Sequence, residues 1–119
     1  MATIICNSHP VVQDDVLFKP LALAAGKYIF VYDYPLTNKA TFNHDLTDQT
    51  TAMDILGIAS TDYKRIYASE PDPGQAGALL NRGRSTGPYG IYGHDIGDLV
   101  FDEIQIDREG RTIQFVIGS

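Results

Sequence analysis

The chain has 119 residues, of which 44% are hydrophobic and 20% charged, and its formal net charge is −6 at pH 7. A chain of this length and composition folds around one hydrophobic core, so we expect residues 1–119 to form a single globular domain. The negative charge argues against nucleic acid as a partner, because proteins that bind nucleic acid present basic side chains to the phosphates.

The N-terminal residues 1–10 lack the basic start and the apolar stretch of a secretory signal, which predicts a cytoplasmic protein or a virion component. The longest apolar run, Leu21–Ala25, is far shorter than the ~20 residues that cross a bilayer, so we expect no membrane span. Cys6 is the single cysteine and ends the apolar run that begins at Thr3. The pattern is typical of a buried, inert thiol.

The first third of the chain predicts three strands, at Thr3–Cys6, Val16–Phe18 and Lys27–Tyr34. The third is the clearest, because aromatic residues alternate on one face: Tyr28, Phe30, Tyr32 and Tyr34. Such a stripe is able to stack on sugars or bases. Packing against a helix is the more common use, and we expect it here.

One long helix is predicted from about residue 51 to residue 69, because apolar residues recur there with the helical period. Thr51 and Asp54 have the spacing of a capping box, and Pro71 ends the segment. Asp62 and Arg65 are expected to form an exposed helical pair. Gly57, on the polar face, costs ~1 kcal/mol relative to alanine. It is either a tolerated defect or a point where another chain or a bound group approaches closely.

A C-terminal hairpin is predicted, with strands at 98–106 and 111–117 and a turn at 107–110. Val100, Ile104 and Ile106 are expected on one side of its first strand. Gly110 is expected in the left-handed position of the turn. These elements together predict an α+β fold, in which an antiparallel sheet of about five or six strands packs against the long helix.

The loop 81–98 concentrates the unusual chemistry, with five of the eleven glycines and two of the five arginines. Arg82 and Arg84 are each able to hold a carboxylate or phosphate by two parallel hydrogen bonds, and Lys64 could join them from the helix. A small anionic ligand is therefore one candidate. The alternative is that both arginines pair with the acidic C-terminal half. The loop contains neither a P-loop nor a dinucleotide-binding fingerprint.

His94, Asp95 and Asp98 bring one imidazole and two carboxylates within five residues. Such a group is able to bind a divalent cation or to transfer protons. The spacing matches no metal or catalytic motif, and both aspartates are equally suited to capping turns. His44-Asp45 is a similar dipeptide. We therefore predict no catalytic residue, metal ligand or cofactor, and whether the protein is an enzyme stays open.

The absence of a catalytic motif, together with tyrosines and arginines in one loop, is typical of an interface. We therefore predict a non-enzymatic interaction or structural module that self-assembles or binds a partner protein through the loop 81–98. The alternatives are a domain that binds an anionic ligand through Arg82 and Arg84, and an enzyme centred on His94. The residues predicted to bind a partner or ligand are Arg82, Arg84, Tyr89, Tyr92, His94, Asp95 and Lys64.

Overall fold

The computed structural model describes residues 2–6, 17–70 and 87–118. This part of the chain contains five strands, one long helix and one short 3-10 turn at Ile96–Asp98. The strands and the helix are β1 (Ala2–Ile5), β2 (Gly26–Tyr32), β3 (Ala40–Leu46), α1 (Ala52–Ala68), β4 (Val100–Asp107) and β5 (Thr112–Gly118).

The five strands form one sheet in the order β1-β4-β5-β2-β3. Three neighbouring pairs are antiparallel, and β2 and β5 are parallel over the pairs from Ile29–Thr112 to Val31–Gln114. The predicted fold class is confirmed: one helix packs on a five-stranded sheet, and β4 and β5 form the C-terminal hairpin. The sheet is mixed because β5 lies between β4 and β2 and pairs in parallel with β2. The hairpin therefore lies inside the sheet, whose edges are β1 and β3.

The helix α1 begins as its sequence predicts. The Thr51 hydroxyl accepts a hydrogen bond from the Asp54 N–H at 3.1 Å, and the Asp54 carboxylate accepts one from the Thr51 N–H at 3.0 Å. This capping box satisfies two backbone donors that have no partner within the helix. Ser69 is the C-cap. No helix in the described ranges is both long enough and apolar enough to cross a membrane.

The aromatic stripe of β2 forms the centre of the core. Tyr28, Phe30 and Tyr32 are buried, which confirms packing rather than ligand stacking as their use. The Tyr32 ring stacks on Phe115 at 5.5 Å and meets Tyr63 of α1 edge-on at 5.0 Å. Aromatic pairs in these geometries add ~0.5–1.5 kcal/mol beyond the area that they bury.

A bulge in β4 changes which residues face the helix. The pairing with β5 shifts between Phe101 and Glu103, so one extra residue enters the strand and reverses its alternation. Phe101 thereby contacts Tyr63 at 5.9 Å and Phe115 at 5.4 Å. Val100, expected beside Ile104, is instead 42% exposed. The predicted side of Val100 is therefore wrong.

Two other local predictions are wrong. Leu17 and Phe18 are helical and not part of a strand, while Val16 lies outside the described residues. In the hairpin turn the left-handed residue is Arg111, at φ 52°, and not Gly110. Gly110 donates its N–H to the Asp107 carboxylate, and a Cβ added there would lie 2.6 Å from Oδ2 of that flexible side chain, which would have to shift.

We expect Gly57→Ala to raise the free energy of unfolding by about 0.5–1 kcal/mol, because an added Cβ meets no atom within 4 Å and alanine is the better helix former. Urea denaturation measures the change. Gly90→Ala is the matched control. It should lower stability by about 1–2 kcal/mol, because Gly90 has φ +67° and its Cβ would lie 2.9 Å from the Thr37 hydroxyl. The same sign of change in both variants would contradict this account.

Candidate functional site

The structure locates five of the seven residues predicted to bind a partner or ligand. Tyr89, Tyr92, His94 and Asp95 are partly buried along the connection 87–98, and Lys64 is exposed on α1. Arg82 and Arg84 lie outside the described residues. Residues 87–98 are therefore the part of the predicted loop that the structure describes.

A buried carboxylate ties this connection to the end of α1. Glu70 is 5% exposed, and its Oε1 accepts hydrogen bonds from the backbone N–H groups of Tyr89 at 3.2 Å and Gly90 at 2.7 Å. A Cβ on Gly87 would overlap the Glu70 carboxylate. Glycine at position 87 is therefore what lets the carboxylate reach the backbone of the connection.

The other side of the connection pairs with the segment between β2 and β3. The Thr37 N–H donates to the Gly90 carbonyl at 3.0 Å, and the Tyr92 N–H donates to the Pro35 carbonyl at 3.1 Å. Leu36 and Ile91 form an isolated bridge between these bonds. Hydrogen bonds from both sides therefore fix the backbone of residues 89–92.

Three aromatic side chains meet where these segments join. The Tyr34 ring lies 6.5 Å from the Tyr92 ring and 5.9 Å from the His94 ring, and the Tyr67 hydroxyl donates to the His94 carbonyl at 2.8 Å. Tyr34, Tyr92 and His94 are all partly exposed. We call these three residues the aromatic corner. It combines two predicted site residues with Tyr34, which sequence analysis assigned to a strand.

The Asp98 carboxylate, near His94, accepts a hydrogen bond from the backbone. Asp98 lies in the 3-10 turn, and its Oδ2 accepts the Asp95 N–H at 3.1 Å. The distance from the same oxygen to His94 Nδ1 is 3.7 Å, which is beyond hydrogen-bonding range. Asp98 thus caps a turn, which is the second of the two roles that its sequence position allows. Among the described residues, no three His, Cys, Asp or Glu side chains are grouped so as to hold a metal ion.

A second group of polar residues lies elsewhere, around Asp62 of α1. Asp62 is 1% exposed, and its Oδ2 accepts a hydrogen bond from the Tyr32 hydroxyl at 2.5 Å. Nε2 of His44, on β3, lies 2.7 Å from the same oxygen. The expected exposed pair of Asp62 and Arg65 is therefore wrong. The Arg65 guanidinium lies instead over the Phe42 ring, 4.5 Å from its centroid.

The Asp62 carboxylate orients the donor groups of its two neighbours, Tyr32 and His44. An ionised carboxylate only accepts hydrogen bonds, so Nε2, the His44 nitrogen that faces it, is the donor. No hydrogen bond to Nδ1 comes from the described residues. Burial raises the pKa of the Tyr32 hydroxyl, and the hydrogen bond to Asp62 and the charge of that carboxylate raise it further. Tyr32 is therefore a permanent donor.

This group borders a cleft of about 540 Å³ between β3 and α1. The residues that line it are His44, Met53, Asp54, Gly57, Ile58, Thr61 and Asp62. His94 is not among them. The cleft and the aromatic corner are thus two different surfaces, and two residues that are unusual in the sequence, His44 and Gly57, both line the cleft.

One signal in the sequence points to the missed group. The buried stripe of α1 contains Ile55, Ala59, Tyr63 and Ile66, and Asp62 lies within it. Aspartate is rarely buried without a partner, so an acid on this stripe predicts donors on the facing strands. Neither the periodicity nor the spacing identifies which donors these are.

Comparison of the chain with protein-family models, curated proteins and solved structures finds no match. The geometry of the aromatic corner and of the cleft therefore carries the functional interpretation.

We expect Tyr32→Phe to lower the free energy of unfolding by about 1.5–3 kcal/mol, since it removes a buried hydrogen bond to a charged group. Tyr63→Phe is the matched control, because the Tyr63 hydroxyl donates to a neutral acceptor, the Tyr34 carbonyl, at 2.7 Å. It should cost about 0.5–1.5 kcal/mol. Chemical denaturation of both variants measures the difference. A larger loss in Tyr63→Phe would show that Asp62 does not depend on Tyr32.

Stability should fall above pH 10. Burial raises the pKa of both Tyr32 and Tyr63, so the unfolded chain releases these protons near pH 10 while the folded protein keeps them. The stabilisation is complete below that pH. It is lost as the pH rises above 10, and the loss approaches about 1.4 kcal/mol per pH unit for each tyrosine once the unfolded form is fully ionised. Between pH 9 and 11 the free energy of unfolding, measured by urea denaturation, should fall by about 1.4 kcal/mol less in total in Tyr63→Phe than in the parent. The same decrease in the parent and in Tyr63→Phe would contradict the raised pKa of Tyr63.

Proposed function

We propose that this protein is a non-enzymatic interaction module that binds a partner protein, either a second copy of itself or another chain, through the aromatic corner. The observation that carries the proposal is that Tyr34, Tyr92 and His94 lie side by side, partly exposed, on a backbone that is hydrogen-bonded from both sides. Aromatic side chains held in place supply contact area at a low cost in conformational entropy.

The surroundings of the aromatic corner suit a protein contact. Ile96 in the adjoining 3-10 turn is 36% exposed and adds apolar area. Tyr89 and Asp95 lie on the same connection, and Lys64 is exposed on α1, so polar groups are available for the edge of an interface. Arg82 and Arg84 extend the proposed contact set along the chain.

Two other functions have less support. An enzyme centred on His94 would need an orienting carboxylate, and Asp98 lies 3.7 Å from Nδ1 and accepts a backbone N–H. An anionic ligand held by Arg82 and Arg84 depends on residues outside the described ranges. The proposed location is the cytoplasm or a virion.

The test is the solution mass of the purified protein, measured by light scattering over a range of protein and salt concentrations. We expect a defined oligomer, or a stable complex with a partner captured from lysate. Tyr92→Ala should abolish the association, because it removes the aromatic face that the connection presents.

Ile29→Ala is the matched control, because it removes an exposed apolar side chain on the sheet face away from α1. This variant should associate as the parent does. A protein that stays monomeric and captures no partner would refute the proposal. Loss of association in Ile29→Ala alone would move the interface to the sheet.

A further inference from the structure

The geometry of the cleft between β3 and α1 points to a second function that is independent of the aromatic corner. We propose that this cleft binds a small primary amine with an apolar body. Its ionisable lining groups are His44, Asp54 and Asp62, and none of its lining residues is a lysine or arginine. The cleft therefore offers two carboxylates to a ligand, and neither of the permanently cationic side chains.

The charge of the lining selects against anions. Asp62 is buried and Asp54 is exposed, so two carboxylates border the same space. The chain as a whole has a formal net charge of −6. An ammonium group gains from both carboxylates, whereas a carboxylate or phosphate would be repelled by them. This preference is opposite to the one predicted from Arg82 and Arg84.

The imidazole of His44 supplies a directed acceptor. Asp62 accepts a hydrogen bond from Nε2 at a distance of 2.7 Å, so in the neutral imidazole Nδ1 is the ring nitrogen that is able to receive an N–H from a ligand. Tyr32 donates to the same carboxylate oxygen and fixes its orientation. Asp62 and Tyr32 are thus positioning residues, and His44 is the ligand-contacting residue.

The rest of the lining suits an apolar body. Met53, which is 42% exposed, and Ile58 border the cleft on α1. Gly57 lies between them, and a Cβ added there meets no atom within 4 Å. A side chain at this position would occupy the cleft, so glycine keeps it open at a cost of ~1 kcal/mol in helix propensity. A ligand site would explain why a glycine occupies this exposed position in the middle of the helix.

The first experiment compares three probes of the same shape and different charge: benzylammonium, benzyl alcohol and benzoate. Each is titrated into the ¹⁵N-labelled parent protein and followed by NMR. We expect saturable shifts at His44, Gly57 and Thr61, with benzylammonium binding at least about tenfold more tightly than benzoate. Binding should weaken in high salt, because salt screens the two carboxylates.

Two variants locate the binding. Gly57→Leu should reduce benzylammonium affinity at least about tenfold, because leucine fills the cleft. Ala68→Leu makes a similar apolar addition at an exposed position of α1 outside the cleft and should leave the affinity unchanged. Tyr92→Ala should also bind benzylammonium as the parent does, which separates this site from the proposed protein contact.

A third variant tests the positioning role of Asp62. In the parent, the ring ¹⁵N shifts of His44 should show the proton on Nε2. Asp62→Asn should give a mixture of tautomers and weaker benzylammonium binding, an outcome that a purely structural Asp62 would not produce. Equal binding of all three probes, the absence of saturable shifts, or full affinity in Gly57→Leu would each overturn the proposal.

Discussion

The burial of the Asp62 carboxylate is the constraint on which much of this structure depends. Removing such a charge from water costs several kcal/mol unless donors replace the lost hydration. The two donors come from Tyr32 on β2 and His44 on β3. The helix therefore has to pack where Asp62 reaches both strands, because elsewhere the buried charge would lose a donor. The same contact fixes the Tyr32 ring, which stacks on Phe115 in the centre of the core. One polar group thereby specifies both the docking of α1 and the arrangement of the aromatic core.

A second buried acid extends this control beyond the helix. Glu70, just past the end of α1, holds the backbone of Tyr89 and Gly90, and with it the connection that leads to the aromatic corner. Both acids therefore hold neighbouring segments in place against α1 or its C-terminal end. The cleft borders α1 directly, while the aromatic corner depends on the residue that follows its C-cap. The two proposed surfaces are chemically separate but share one rigid support.

The sequence predicts well those features that depend on residues close together in the chain. The capping box at Thr51 and Asp54, the alternation along β2 and the turn between β4 and β5 all depend on neighbours in the chain, and all three are present. The parallel pairing of β2 with β5 depends on distant segments, so no local pattern reveals it. The bulge at Phe101 depends on a single extra residue, which periodicity cannot detect.

The same distinction explains the candidate sites. Tyr92 and His94 were visible because loop 81–98 is unusual in composition, whereas the cleft is assembled from two elements that are each ordinary. Two irregularities in α1 nonetheless belonged together: Gly57 weakens its exposed face, and Asp62 interrupts its buried stripe. Each alone has a routine explanation. Both border one cleft, so a glycine that opens space and an acid that orients an imidazole belong to a single feature, the one at which we propose that a ligand binds.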